Sequence, residues 1–101
     1  MKFDKLVRDN IPEIIKADNR TPSFHIATDE EYEEALKKKL HEEVAEFLAK
    51  PCLDEVVDIM DVVFALCEIN DVDLDELEAA GEEKAATKGL FEKRIILDSI
   101  E

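Results

Sequence analysis

Two pairs of carboxylates at three-residue spacing, Glu43 with Glu46 and Glu55 with Asp58, are the residues of this sequence best placed to do chemistry. Residues three apart on a helix share one face, with Cβ atoms about 5 to 6 Å apart, so each pair presents two acids side by side. Two antiparallel helices can bring both pairs to one point. Four carboxylates around that point repel one another unless a hard divalent cation sits among them, and oxygen-only ligands favour Mg2+, or Mn2+, over zinc or copper. Taken alone, the run Glu42-Glu43-x-x-Glu46 reads as an acidic solvated face. The second pair reverses that reading, because it stands in a segment where Val56, Val57, Ile59, Met60, Val62, Val63 and Phe64 to Cys67 occupy nearly every side. A helix apolar all round is a buried helix. Glu55, Asp58 and Asp61 therefore place at least one carboxylate inside protein, at a cost of several kcal/mol if it is unpaired. A proton, a Lys or Arg, or a metal can remove the cost, and this segment has no basic residue of its own. The compensation must come from outside it, and Asp61 is a weaker ligand candidate than the four paired acids.

Other arrangements carry less. Asp71, Asp73, Asp75 and Glu82 have the ligand spacing of a calcium-binding EF-hand loop, but Glu76 stands where that loop needs Gly for its sharp turn. A carboxylate-bridged di-iron bundle needs Glu-x-x-His, and Lys38 precedes His41 by three. His25 and His41 have no partner at a useful spacing and read as ordinary histidines. Cys52 and Cys67 form no CxxC pair; both read as reduced, with Cys67 packing as a small hydrophobe.

The elements that must position the acids follow from caps and breakers. Lys2 to Ala17 runs through Asn10, a helix cap, and Pro12 in a first turn, so a short first helix is expected. Asp18 to Ala27 reads as a loop with a brief extended stretch at Phe24-His25-Ile26. Thr28 with Glu31 forms a capping box for a second helix that runs to Lys50 and is ended by Pro51. Asp54 is expected to cap a third helix reaching about Ile69. Asp71-Val72-Asp73 makes a turn, and Asp73 with Glu76 caps a fourth helix that passes Gly81 and closes at Gly89. Ile95-Ile96-Leu97 then reads as extended. Leu36, Leu40, Val44 and Phe47 form the buried stripe of the second helix, with Glu43 at its edge. Two connections of a few residues make the second, third and fourth helices antiparallel neighbours. The expected fold is all-α, a single domain over 1–101 whose short antiparallel helices form a four-helix-bundle core completed by dimerisation, in a homodimer or a higher homo-oligomer.

Composition sets outer limits. The chain has 101 residues, 46% apolar and 40% charged, with a net charge of −14. That is a folded domain with solvated faces, and its charge argues against nucleic acid and against an anionic membrane as partners. The first eight residues carry Lys2, Asp4, Lys5 and Arg8 with no apolar run of signal or membrane length, so a cytoplasmic location is expected.

Lys5-Leu6-Val7-Arg8-Asp9 with Ile11-Pro12-Glu13, the two acidic motifs, and Gly89 with Phe91-Glu92-Lys93 together resemble the MazG-like all-α nucleoside triphosphate pyrophosphohydrolases, in particular their small phosphoribosyl-ATP pyrophosphohydrolase-like branch. The resemblance covers nearly the whole chain in order. It implies Mg2+-dependent hydrolysis of a nucleoside triphosphate, standard, non-standard or deoxy, to the monophosphate and pyrophosphate. It further implies Glu43, Glu46, Glu55 and Asp58 as metal ligands, Glu42 as the catalytic group at a further ion or the attacking water, and Lys5, Arg8, Lys84 and Lys88 as phosphate-binding residues. Where those proteins usually read Arg-Gly-Gly-Phe, this chain reads Lys88-Gly89-Leu90-Phe91, a point charge in place of a bidentate fork. The competing expectation is a non-catalytic, metal-stabilised helical module that binds or regulates a partner.

Overall fold

Asn10 and Pro12 start α1 (Ile11–Ala17), with the proline in the first turn, where its missing N–H is not needed. The Asn10 side chain makes no capping bond. The computed structural model describes residues 4–101, so Lys2 lies outside the described residues. α2 (Asp29–Ala49) begins as its sequence requires: Thr28 Oγ1 accepts from the Glu31 N–H at 3.3 Å. The expected capping box is only half made. The Glu31 carboxylate turns away from the cap to His25, whose Nε2 lies 2.9 and 3.0 Å from its two oxygens. His25, expected to be without a partner, thus ties the loop to the start of α2.

α3 (Leu53–Ile69) starts one residue before its expected cap, with Cys52 at the N-cap and making no side-chain bond. Asp54 falls in the first turn instead, where its charge complements the helix dipole. At its other end the Val72 N–H donates to Cys67 O at 2.9 Å and the Asp71 N–H to Glu68 O at 3.4 Å, the two bonds of a Schellman motif. Asp71 fills the left-handed position of that motif at φ 55. α4 (Leu74–Lys88) has Asp73 at its N-cap, again without the expected side-chain bond. Gly89 ends it at φ 80, ψ −177, a region essentially reserved for glycine. The described residues contain no strand, so Phe24–Ile26 and Ile95–Leu97 pair with no other segment as strands. Nor is there an EF-hand loop, because Asp75 and Glu82 sit inside α4.

α2 and α3 pack along each other as an antiparallel hairpin, and no other pair of helices shares more than an incidental contact. Leu36, Val62 and Glu43 are the buried residues among those described. The expectation that α3 is buried on nearly every side is not met within one chain. Val56, Val57, Met60, Val63 and Phe64 remain more than a third exposed, because α2 covers one side of α3 and α4 leads away. The radius of gyration, 18.4 Å, exceeds the about 13 Å of a compact domain of this length. Accessible surface is 9430 Å², against about 5,800 Å² for a compact monomer of this mass. One chain is therefore all-helical with a single packed hairpin, not a closed four-helix core.

Candidate metal centre

The packed hairpin puts acids where a core would otherwise be apolar. Leu36, Leu40, Glu43 and Phe47 follow a 4-3-4 spacing that lines the inner face of α2, so Glu43 sits on the seam rather than at its edge. It is 5% exposed, while Val44, expected in the stripe, faces outward. On α3 the matching seam runs through Glu55, Asp58, Ile59 and Val62, all half-buried or buried. Carboxylate oxygens of Glu43, Glu55 and Asp58 lie within 4.8 Å of one another, and so do those of Glu42, Glu43 and Glu46. The four acids singled out by spacing are thus brought together as two overlapping groups that share Glu43.

Basic side chains answer part of this charge. Arg8 bridges α3 by donating Nη2 to Asp58 at 2.6 Å and Nη1 to Asp61 at 3.0 Å. Lys5 lies 3.6 Å from Glu42, and Lys39 lies 3.5 Å from Glu43 Oε1. Six carboxyl groups therefore face three cations, an excess of two to three negative charges according to whether Glu55 holds its proton. The residue-level expectation that α3 needs compensation from outside is met for Asp58 and Asp61 by Arg8, and not for Glu55. Glu43 Oε2 and Glu55 Oε2 are buried with no hydrogen-bond donor from another residue, and a proton held by Glu55 has the facing Glu43 carboxylate to bond to. A shared hydrogen bond with Glu43, then burial, then the charges of Glu46 and Glu43, push the Glu55 carboxyl up to about 7. The bonds to Asp58 and Asp61 raise the Arg8 guanidinium above its ordinary value.

These residues fit a magnesium ion. The donor set is oxygen only, two of its buried oxygens have no donor from another residue, and oxygens sharing an octahedral ion at about 2.1 Å lie at most about 4.2 Å apart. The oxygens of each group lie within 4.8 Å of one another and would draw in to about 3.0 to 4.2 Å around one ion.

The remaining expected residues divide. Lys5 and Arg8 stand beside the acids, Lys5 already paired with Glu42 and Arg8 with Asp58 and Asp61. Lys84 and Lys88 do not join them: they lie with Glu83 and Thr87 around a shallow hollow on α4, which does not pack on the α2/α3 pair. α4 follows the Schellman turn at the end of α3 and makes no more than incidental contact with the hairpin. Lys39 was missed by sequence reasoning, although its position four residues before Glu43 is the standard spacing of a helical ion pair. No sequence signal links Arg8 to Asp58, 50 residues away.

Comparison with known proteins adds one relative and no family. The chain is similar to an uncharacterized protein of Mycolicibacterium smegmatis, 48% identical over 54 residues, which is 54% of this chain and 55% of that protein. The match spans about half of each. The chain matches no protein-family model and no solved structure.

Proposed function

We propose that this chain is a Mg2+-dependent hydrolase, cytoplasmic and homodimeric, that splits a nucleoside triphosphate between its α and β phosphates. The observation that carries the reading is the pair of buried carboxylate oxygens with no donor from another residue, Glu43 Oε2 and Glu55 Oε2, where two acid groups overlap. The motif resemblance supplies the reaction. No helix among the described residues is long and apolar enough to cross a membrane, in keeping with the location proposed.

Glu43, Glu46, Glu55 and Asp58 would hold the ion, whose chemistry is to neutralise the triphosphate and the charge that builds on the leaving pyrophosphate. Arg8 fixes the Asp58 carboxylate from behind through its 2.6 Å bond and leaves the other oxygen free. Glu42, half-buried, orients the attacking water and takes its proton as the new bond to the α-phosphorus forms. The bond from the α-phosphorus to the bridging oxygen breaks in line, and its electron pair leaves with pyrophosphate. Lys5, 3.6 Å from Glu42, is positioned to meet a phosphate at the rim.

One observation favours the second reading, a metal-stabilised binding module: Lys5, Arg8 and Lys39 are each engaged by an acid, and Lys84 and Lys88 lie away from the centre. A panel of standard, deoxy and modified nucleoside triphosphates with Mg2+, read by pyrophosphate release, separates the two. Chelator-sensitive release from at least one nucleotide is expected. Mg2+ binding without release from any of them would establish the module instead.

A further inference from the structure

An open groove of about 550 Å³ lies at the elbow between α3 and α4. Phe64, Ala65, Val72 and Leu74 give it an apolar floor, and Glu68 and Asp73 make its rim acidic. Arg8, held by Asp61, closes one end. Elsewhere in the chain, the segment after Gly89 carries Leu90, Phe91, Ile95, Ile96, Leu97 and Ile100, all at least two-thirds exposed. Lys93 and Arg94 stand immediately before its apolar run. We propose that the groove is filled by the C-terminal segment of a second copy of this chain, with Ile95–Leu97 on the apolar floor and Lys93 and Arg94 against the Glu68/Asp73 rim. This rests on the homodimer reading above and names the segment that makes the interface.

Three observations select a second copy. The first is charge: Lys93 and Arg94, although Glu92 and Asp98 also flank the run, set a basic pair directly before Ile95–Leu97 that matches an apolar groove with an acidic rim. The second is reach. The Arg94 N–H donates to Phe91 O at 3.1 Å, closing a turn with Arg94 at φ 58. That turn holds its ends within about 7 Å, so Lys88 to Ile95 spans about 21 Å at most. α4 rises about 21 Å from Lys88 to Leu74 at the groove, so Ile95 meets its own chain's groove only with the rest of the connection fully extended along the helix. Folding back would also lay the tail on Glu82, Glu83 and Thr87, because the large apolar residues of α4 are confined to Leu74 and Leu77. The third is area. Each chain exposes about 3,600 Å² more than a compact monomer, and covering a third of that in each of two copies makes an interface of about 2,400 Å², in the obligate homodimer range. Mutual exchange of tails about a two-fold axis fills both grooves at once.

The full chain tests this in two ways. Sedimentation at micromolar concentration should show the parent as a dimer, and Ile96→Asp/Leu97→Asp should raise the dissociation constant by about 100-fold or more, two charged residues being buried in each of two grooves. Both positions are exposed in the single chain, so the substitutions leave its own packing intact. In a Cys52→Ser/Cys67→Ser background, Ala65→Cys with Ile96→Cys should oxidise to a covalent dimer on a denaturing gel. A link formed within one chain, or no link together with a dimer undisturbed by the tail variant, overturns the tail proposal while leaving the dimer reading standing. A monomeric parent overturns both.

Discussion

Mg2+ binding at the carboxylate centre should expel a proton from Glu55, in an amount set by pH. The neighbouring Glu43, burial and the charge of Glu46 push the Glu55 carboxyl up to about 7. A metal ligand must be ionised, so whatever fraction of Glu55 is protonated in the free protein is released on binding. With a midpoint of about 7, that fraction is about 0.9 at pH 6, about 0.5 at pH 7 and about 0.1 at pH 8. Apparent Mg2+ affinity should therefore fall about tenfold from pH 8 to pH 6. Isothermal titration in buffers of different ionisation enthalpy reads the number directly, as the slope of observed enthalpy against buffer enthalpy. Glu55→Gln has no proton to lose, and its slope should be near zero at every pH. A parent slope that does not change between pH 6 and 8, or one that survives unaltered in Glu55→Gln, would refute the assignment of Glu55 as a ligand.

The remaining predictions concern the metal-free protein. Glu55 has a folded value above its ordinary 4.5, so its contribution to stability is fully present below that value and is lost as pH rises through about 7. The melting temperature of Glu55→Gln should exceed that of the parent by a margin that widens from pH 5 to pH 8, and a margin independent of pH contradicts this. Asp58→Asn should differ in sign, because it weakens one arm of the Arg8 bridge; Arg8 is half exposed and keeps Asp61, so chemical denaturation should show a loss of no more than about 1 kcal/mol. Leu36→Ala removes the most buried side chain of the hairpin, at 2% exposure, and should cost about 2 to 4 kcal/mol by urea titration. Asp71→Gly relieves a left-handed residue at the end of α3 and should stabilise by about 0.5 to 1 kcal/mol in the same assay, with Mg2+ response unchanged.

Helix existence was legible in local chemistry, since Thr28, Pro51, Asp73 and Gly89 each mark a boundary within a residue or two of the one observed. Cap details were less so. Asp54 and Glu31 have better uses, one at the helix dipole and the other at His25, and neither competing partner is visible from spacing alone. Among the acids, periodicity picked out four that the hairpin brings together but misplaced Glu43, because a seam of 36, 40, 43 and 47 and one of 36, 40, 44 and 47 both satisfy a helical period. The rule that hydrophobic residues occupy the seam chose Val44; packing chose Glu43. The burial of α3 was overstated for a physical reason. An all-round apolar helix states that it must be covered, and not whether the cover comes from its own chain. The Arg8 bridge across 50 residues depends on how the N-terminal segment folds back, which no local signal encodes.

Glu43 and Glu55 are proposed to form a magnesium centre used to cleave a triphosphate between α and β. Phosphorus NMR of a nucleoside triphosphate taken from the panel, incubated with parent protein and Mg2+, tests it most directly. Resonances of monophosphate and pyrophosphate should grow together, with no diphosphate or orthophosphate, and should vanish with chelator or with Glu43→Gln. Diphosphate with orthophosphate, or turnover that Glu43→Gln leaves at the parent rate, would contradict the claim.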